Sequence, residues 1–464
     1  MEIITQFNNI MWGVVLSVIL LGTGLLYSLN MKFPQIRCAK HIANSLKSTL
    51  KSEDGSVSGF GALCAAVGGQ VGTGSLVGVA SALLAGGPGA MFWMWITALF
   101  GMVLSFAEAT LGQLFHEKSQ DGNFYGGAPY YMTNGIHNKV LAMLYAAVNI
   151  FAIGVCIAML QNNSIASAVT GVINIPKWTI GLAVTVLAGV IVLGGVKRIT
   201  ETASLIVPFM AVAYMLCVIF IIISHIAEVP AMFANIFTSA FTVKAAAGGA
   251  AGYTIKEALR NGVARGLFSN DAGNGCAASM HASAKVKHPA SQGFSAMFGT
   301  FLTTIIICTC TGFSILLSGV LDSGNTGVNL VQGAFYSRMG IAGSYFVMII
   351  SFLFCFTTLI TDIFYGEVGV RYLLKSKPSI VENAVKIFKV IVLVLVAFGS
   401  VLSLDTLWNL VDFSVAFLVL FNVFALLKMM KYVKYTLVDY LTQFKNGRDD
   451  PTWDDTVNIK DVCE

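Results

Sequence analysis

Apolar runs of about twenty residues, parted by short polar loops, recur along almost the whole chain, and no other feature limits its folding so much. A helix of that length crosses the hydrocarbon core of a bilayer. Inside hydrocarbon the segment must pair its own backbone N–H and C=O groups, which a helix does. Composition agrees: 56% of the 464 residues are hydrophobic and 11% charged, with a mean hydropathy of +0.77, where a soluble globular protein carries about 25% charged residues. The chain reads as an all-α integral membrane protein, multi-pass in the plasma membrane, with no extramembrane stretch long enough for a second domain.

Eleven spans are expected, at residues 10 to 31, 59 to 85, 88 to 115, 139 to 161, 178 to 196, 204 to 224, 234 to 268, 290 to 319, 340 to 366, 383 to 403 and 406 to 430. One assignment of the loops puts all the basic residues except Lys177, Lys244 and Arg338 on one side. By the positive-inside rule that side is cytoplasmic, so the N-terminus faces out and the C-terminus in. The net charge of +5 reflects this bias and does not point to nucleic acid. The nine cysteines form no CxxC pair and no ligand spacing with histidine, so neither a disulfide framework nor a zinc site is indicated, and Cys308 and Cys310 read as small apolar residues. The first span lacks a basic leader and a small-residue cleavage site, and reads as a retained helix.

Residues 68 to 78, GGQVGTGSLVG, place five glycines inside the second span. Each costs a helix about 1 kcal/mol relative to alanine. Glycines at small-xxx-small spacing can serve close helix packing. This many, interleaved with Gln70, Thr73 and Ser75, point instead to a helix that stops in mid-membrane. Such a break survives only where it is buried or lines a wet cavity. Its freed N–H groups attract an anion and its freed carbonyls a cation, a combination that suits an amino acid together with sodium. A second weak-helix stretch, AAAGGAAGYT at 245 to 254, opens the last five spans. Paired interruptions in corresponding positions mark the binding site of an inverted-repeat transporter. The expected organisation is an N-terminal helix with a basic segment (1–58), two five-helix repeats (59–224 and 225–430) whose first members are discontinuous, and a cytoplasmic tail (431–464).

VGTGSLVGVASALLAGGPGAMFWMW (71 to 95), YGGAPYYM (125 to 132), LQNNS (160 to 164), RGLFSNDAGNG (265 to 275), HPASQG (288 to 293) and FTTLITDIFYGE (356 to 367) resemble, in order, the alanine/glycine:cation symporter family. The resemblance covers about residues 32 to 430. It implies sodium-coupled uptake of a small amino acid on a fold similar to the leucine-transporter type, which serves as the worked example of broken-helix transporters. Carried over by position, the N–H groups of Thr73 and Gly74 would hold the substrate carboxylate, with Ser75 and Gln161 beside it. Carbonyls around Gly249 in the second break would take its ammonium. Sodium would sit among Gly68, Val71, Phe354, Thr357 and Thr358. Asn163 either joins Gln161 at the substrate or gate, or both mark a helix end at the water interface. Glu108 reads as a brace between helices, Lys244 as a vestibule cation, and Arg265, Asn270 and Asp271 as an inner-gate network. The resemblance implies no resident partner beyond lipid, and a monomer.

Three positions depart from the family. Ser75 stands where the family usually has Asn, and Thr303 where it usually has Asp, which weakens a second sodium site beside the substrate. Asp362 stands where an aromatic is usual, four residues beyond Thr358 on the same helix face. It either selects a polar or cationic side chain, sits in a wet cytoplasmic vestibule, or couples to protons. Other classes are poorly served. There is no HExxH, GxSxG or GK[ST] motif for an enzyme or ATPase, and the two breaks differ in sequence where a channel filter repeats its own. A transport-inactive sensor would fit the lost ligands but not the retained Thr357, Thr358 and glycine segment.

Overall fold

The computed structural model describes residues 2–49, 56–241 and 255–454. Among these residues, seven helices are long and apolar enough to cross a membrane: Glu2–Asn30, Gly89–Leu114, Lys139–Thr170, Gly195–Ser224, Pro289–Ser318, Ile341–Leu373 and Leu404–Lys445. An eighth crossing is the bent pair Gly59–Gln70 and Gly74–Gly86, which meet at 46°. Lys177–Val192 and Val229–Phe241 are apolar but shorter, and Pro378–Gly399 lies along Lys177–Val192. The architecture is that of an all-α, multi-pass membrane protein.

Local chemistry sets the ends. Ser58, Asn138 and Ser403 accept from the amides of Gly61, Leu141 and Thr406 at 3.0, 3.0 and 3.3 Å, capping amides that a helix start leaves bare. Proline begins the helices at 289 and 378, where its missing N–H costs nothing. Ile341–Leu373 is the axis of the bundle, with 72% of its apolar window buried, against 33% for Gly195–Ser224, whose Leu205, Phe209, Leu216 and Phe220 face outward.

One expected span is redrawn. Residues 234 to 268 do not form a single crossing: Val229–Phe241 packs across Gly89–Leu114, and a new helix, Ile255–Asn270, begins at the same end of the bundle. That helix stops in the interior at 271–276, where Asp271, Gly273 and Gly275 take positive φ of 55°, 92° and 84°, and a short helix, Ala277–Ala282, continues beyond. The stretch at 245 to 254, with Gly249 and Lys244, lies outside the described residues.

The redrawing also moves charge. Arg260 bonds Asn9 at 2.6 Å and the Glu257 carbonyl lies against Gly86, whereas Lys287 pairs with Asp450 past the last helix. Lys256, Arg260 and Arg265 therefore sit at the opposite end from Lys285 and Lys287. The basic-residue bias is weaker than the loop count indicates, because the span boundary was set on the wrong apolar stretch.

Glu108 holds the interior stop at 271–276. Its Oε1 accepts from the amides of Gly273 and Gly275 at 2.9 and 3.1 Å and from Asn422 Nδ2 at 2.6 Å, while Tyr131 donates to the Asn422 side chain. Glu108→Leu strands these donors in a dry interior at about 1–3 kcal/mol for each one left unpaired. Its melting temperature in detergent should fall well below that of Glu108→Gln, which keeps an acceptor; equal melting would show that the clamp contributes nothing.

Candidate binding site at the helix breaks

The first break lies at the middle of the bundle, and every residue from 61 to 80 is buried. Helix Gly59–Gln70 ends with the Val71 amide donating to the Val67 carbonyl at 2.9 Å, and pairing resumes when the Ser75 amide meets the Gly72 carbonyl at 3.2 Å. Between them the ladder is open. The Gly68 carbonyl, deprived of its partner four residues on, accepts from the hydroxyls of Thr358 and Thr357 at 2.7 and 3.2 Å. Both hydroxyls also touch the Phe354 carbonyl of their own helix at 3.0 Å. Two carbonyls and two hydroxyls thus converge on one spot, all hard oxygen donors.

On the other flank, Thr73 offers its N–H and its hydroxyl to a single acceptor, Gln161 Oε1, at 2.8 and 2.7 Å. Its hydroxyl also lies 3.1 Å from Ser164 Oγ and 3.5 Å from Cys355 Sγ. A Cβ on Gly72 would run into Thr358 Oγ1 and Gln161 Oε1, and one on Gly74 would come within 2.9 Å of the Phe268 carbonyl. At these two positions glycine is required by close approach.

The second break, 271–276, packs against the first. Gln70 Nε2 donates to the Asn270 carbonyl at 2.9 Å. The Ala272 amide turns to Asn270 Oδ1 and the Gly273 amide to Glu108, so neither returns to the carbonyls of Phe268 and Ser269 at the end of their helix. Those carbonyls are a cation-seeking terminus aimed at Gly74. Ser269 Oγ meets Thr304 Oγ1 at 2.7 Å, and Cys308 lies between Ser269 and Ser75.

Towards the end that carries Asn9, Arg265 forms a two-point ion pair with Asp412 at 2.8 and 3.0 Å and stacks over Trp408 at 4.2 Å. Trp408 in turn packs edge-on to Phe268 at 4.7 Å. Towards the other end, Arg371 pairs with Glu367 and Glu382 at 2.8 and 2.6 Å, and Lys389 with Glu367 at 2.8 Å.

Of the residues singled out from sequence, Gly68, Phe354, Thr357 and Thr358 come together, and so do Thr73, Gly74 and Gln161. The Val71 carbonyl makes no recorded contact with the threonines, and Gly249 lies outside the described residues. Asn163 turns away from Gln161 and donates to the carbonyls of Gly399 and Leu402 at 2.9 and 2.8 Å, tying down the end of a neighbouring helix. Thr303 bonds only back to Thr300 at 3.3 Å, so the hydroxyl that reaches the second break is that of Thr304. Arg265 joins Asp412 and stands apart from Asn270 and Asp271. Ser164, Cys355 and Phe268 were missed. Each is one to three residues from a recognised motif position, but only the packing of three helices shows that it faces the break.

Unwound helices meeting at the centre of a membrane bundle, with bare carbonyls and amides turned inward, are the build of a secondary transporter. The chain belongs to the sodium:alanine symporter family, whose sequence profile matches residues 1–455. It is 37% identical over 444 residues to a Bacillus subtilis protein named probable sodium/glutamine symporter, covering 95% of this chain and 91% of that one. It is 35% identical over 422 residues to a sodium/alanine symporter of Methanococcus maripaludis, covering 89% and 90%. An amino-acid carrier protein of Bacillus subtilis is 36% identical over 434 residues, covering 93% and 90%. The family is one of transporters and not of enzymes.

The close approach at Gly72 sets a local test. Gly72→Ala should lower stability by about 1–3 kcal/mol through overpacking. Gly78→Ala, whose new methyl has nothing nearer than the Thr73 carbonyl at 3.8 Å, should be neutral or gain up to about 1 kcal/mol from helix propensity. Thermal unfolding of both variants in detergent decides; a neutral Gly72→Ala would mean that the break relaxes around it.

Proposed function

We propose that the chain carries a small amino acid into the cell together with sodium, by alternating access. The observation that carries this reading is the juxtaposition of two half-sites on one break. Gly68 and Phe354 carbonyls meet Thr357 and Thr358 hydroxyls on one flank, and the Thr73 N–H and hydroxyl lie on the other. The oxygen cluster matches a hard monovalent cation, by the logic that gives other hard ions all-oxygen cages. With sodium present, the two hydroxyls turn their lone pairs to the ion, and the carbonyls they now cap complete the cage.

The carboxylate of the amino acid is read onto Thr73 and Gly74. Gln161 Oε1 supports this, because a carbonyl oxygen already stands where one carboxylate oxygen would accept both Thr73 protons. Substrate would displace Gln161, whose amide could then turn its N–H to the carboxylate. The Phe268 carbonyl, aimed at Gly74, is the nearest acceptor for the ammonium. The side chains around the break are buried, which corresponds to an occluded state. Arg265, Asp412 and Trp408 then form the outer closure above Phe268, and the Arg371, Glu367, Glu382 and Lys389 cluster ties the inner end.

In this reading residues 59–224 and 225–430 are two five-helix repeats of opposite orientation, the N-terminus is outside, and a monomer in the plasma membrane transports. Rocking one bundle against the other would expose the site to each side in turn. Each charge moved inward with the ion gains about 2.3 kcal/mol per 100 mV of membrane potential.

Uptake of labelled alanine, glycine and glutamine into proteoliposomes, under inward sodium or choline gradients, tests the proposal. Sodium-driven uptake of at least one substrate is the expected result. The Thr357→Val, Thr358→Val double variant should need roughly tenfold more sodium or worse, since each lost hydroxyl removes a charge-assisted contact of about 1.5–3 kcal/mol. Equal uptake in choline, or unchanged sodium dependence in the double variant, would remove the ion from this site.

A further inference from the structure

One acid in the interior has no use in the scheme above. Asp362 is 2% exposed, on the axial helix one turn beyond Thr358, and its Oδ2 has no hydrogen-bond partner among the described residues. Asp271, a second buried acid in the positive-φ turn of the second break, lies within electrostatic reach of it. Asp271 accepts from the Asn274 side-chain amide at 3.0 Å and has Cys276 as a second side-chain partner. Tyr365, fully buried, completes the group: its hydroxyl is also unpartnered, and it lies within electrostatic reach of both acids and of Cys276. The same hydroxyl is 3.3 Å from where a Cβ on Gly69 would stand, so the group borders the first break as well.

Two buried oxygens without partners, one on the Asp362 carboxyl and the other the Tyr365 hydroxyl, with a second acid within electrostatic reach, suit a cation. Among the described residues, no basic side chain forms an ion pair with Asp362 or Asp271. Two buried bases, Arg371 of this helix and Lys389 of Pro378–Gly399, are both engaged by Glu367. A divalent metal does not suit, since no set of three His, Cys, Asp or Glu side chains able to hold one occurs among the described residues. The cation must therefore arrive from outside, and its dimensions are set by the neighbouring half-site. Cys355 touches the Thr73 hydroxyl at 3.5 Å and lies within reach of the Asp362 charge. Asp362 is about 6 Å along the helix from Thr358, which borders Gly72.

Resting on the proposed amino-acid site, we infer that Asp362, Asp271 and Tyr365 form a subsite for a side-chain ammonium, so that the substrate is a diamino acid of ornithine or lysine type. Its α-carboxylate sits on Thr73 and its side chain runs along the axial helix towards the inner end. An ammonium has three protons and no acceptor, and the subsite offers three oxygens. Asp362 is the specificity-determining residue, since it is the acid with an unpartnered carboxyl oxygen and lies closest in sequence to the sodium-site threonines.

The test is calorimetric binding to the purified full-length chain in nanodiscs, in sodium and in choline, with ornithine, norvaline and alanine. Norvaline matches most of the ornithine side chain but lacks the ammonium. Wild type should bind ornithine more tightly than norvaline by about thirtyfold or more, as expected for a desolvated charge pair, and Asp362→Asn should reverse the order. Wild-type preference for norvaline, or an ornithine preference that survives in Asp362→Asn, overturns the subsite. The wild-type comparison stands even if the variant does not fold. Sodium-dependent alanine binding without ornithine binding would leave the transport reading intact and refute the subsite alone, whereas absence of sodium-dependent binding by all three ligands would refute both.

Discussion

A carbonyl without its amide is the condition on which this molecule turns. In hydrocarbon an unpaired backbone group costs several kcal/mol, and the break after Gln70 creates several at once. The protein meets this by bringing a second helix to the wound. Thr357 and Thr358 cap the Gly68 carbonyl, Gln161 takes the Thr73 amide, and Gln70 reaches across to the Asn270 carbonyl. The two threonines come from Ile341–Leu373 and Gln161 from Ala158–Thr170, while Gln70 reaches out from the broken helix itself. The break therefore fixes the relative positions of Gly59–Gln70, Ala158–Thr170, Ile255–Asn270 and Ile341–Leu373.

On the proposed transport reading, the same caps let a buried polar centre bind and release. A hydroxyl that donates to a carbonyl is held by a modest net energy, about 0.5–1.5 kcal/mol. An arriving ion or carboxylate that makes charge-assisted contacts outbids it. The resting hydrogen bonds are thus strong enough to keep the break ordered and weak enough to be exchanged. Glu108 works differently: one carboxylate oxygen shared by two glycine amides and Asn422 is a fixed brace, so one break is held by exchangeable partners and the other by a permanent one.

The charged residues sort by depth in a way that separates their roles. Arg265 with Asp412, and Arg371 with Glu367 and Glu382, are paired and sit towards the two ends, where ion pairs can form and part as water gains access. Asp271 and Asp362 lie between these pairs without a counter-charge. Bases paired at the ends, and two acids without an ion-pair partner at the centre, bias the interior of the described residues towards cations.

The primary structure by itself determined the class of fold and the location of the first break, because both rest on local rules: twenty apolar residues make a span, and glycines among small polar residues stop one. Thr73 stood out within the glycine run, the family resemblance pointed to Gln161, Thr357 and Thr358, and the departure from that family marked Asp362. The primary structure did not mark the stop at 271–276, and the interruption expected at 245 to 254 lies outside the described residues. Weak-helix composition at 245 to 254 drew attention away from SNDAGNG, where the chain stops because Glu108, 165 residues from Gly273 in sequence, accepts the amides. Only tertiary structure could decide that, and only it separates Asn163 from Gln161 and Thr304 from Thr303. These neighbours have nearly the same composition and context. Which of them faces the site depends on how a helix is rotated against partners hundreds of residues away, and packing across the bundle, with no local signal, sets that rotation.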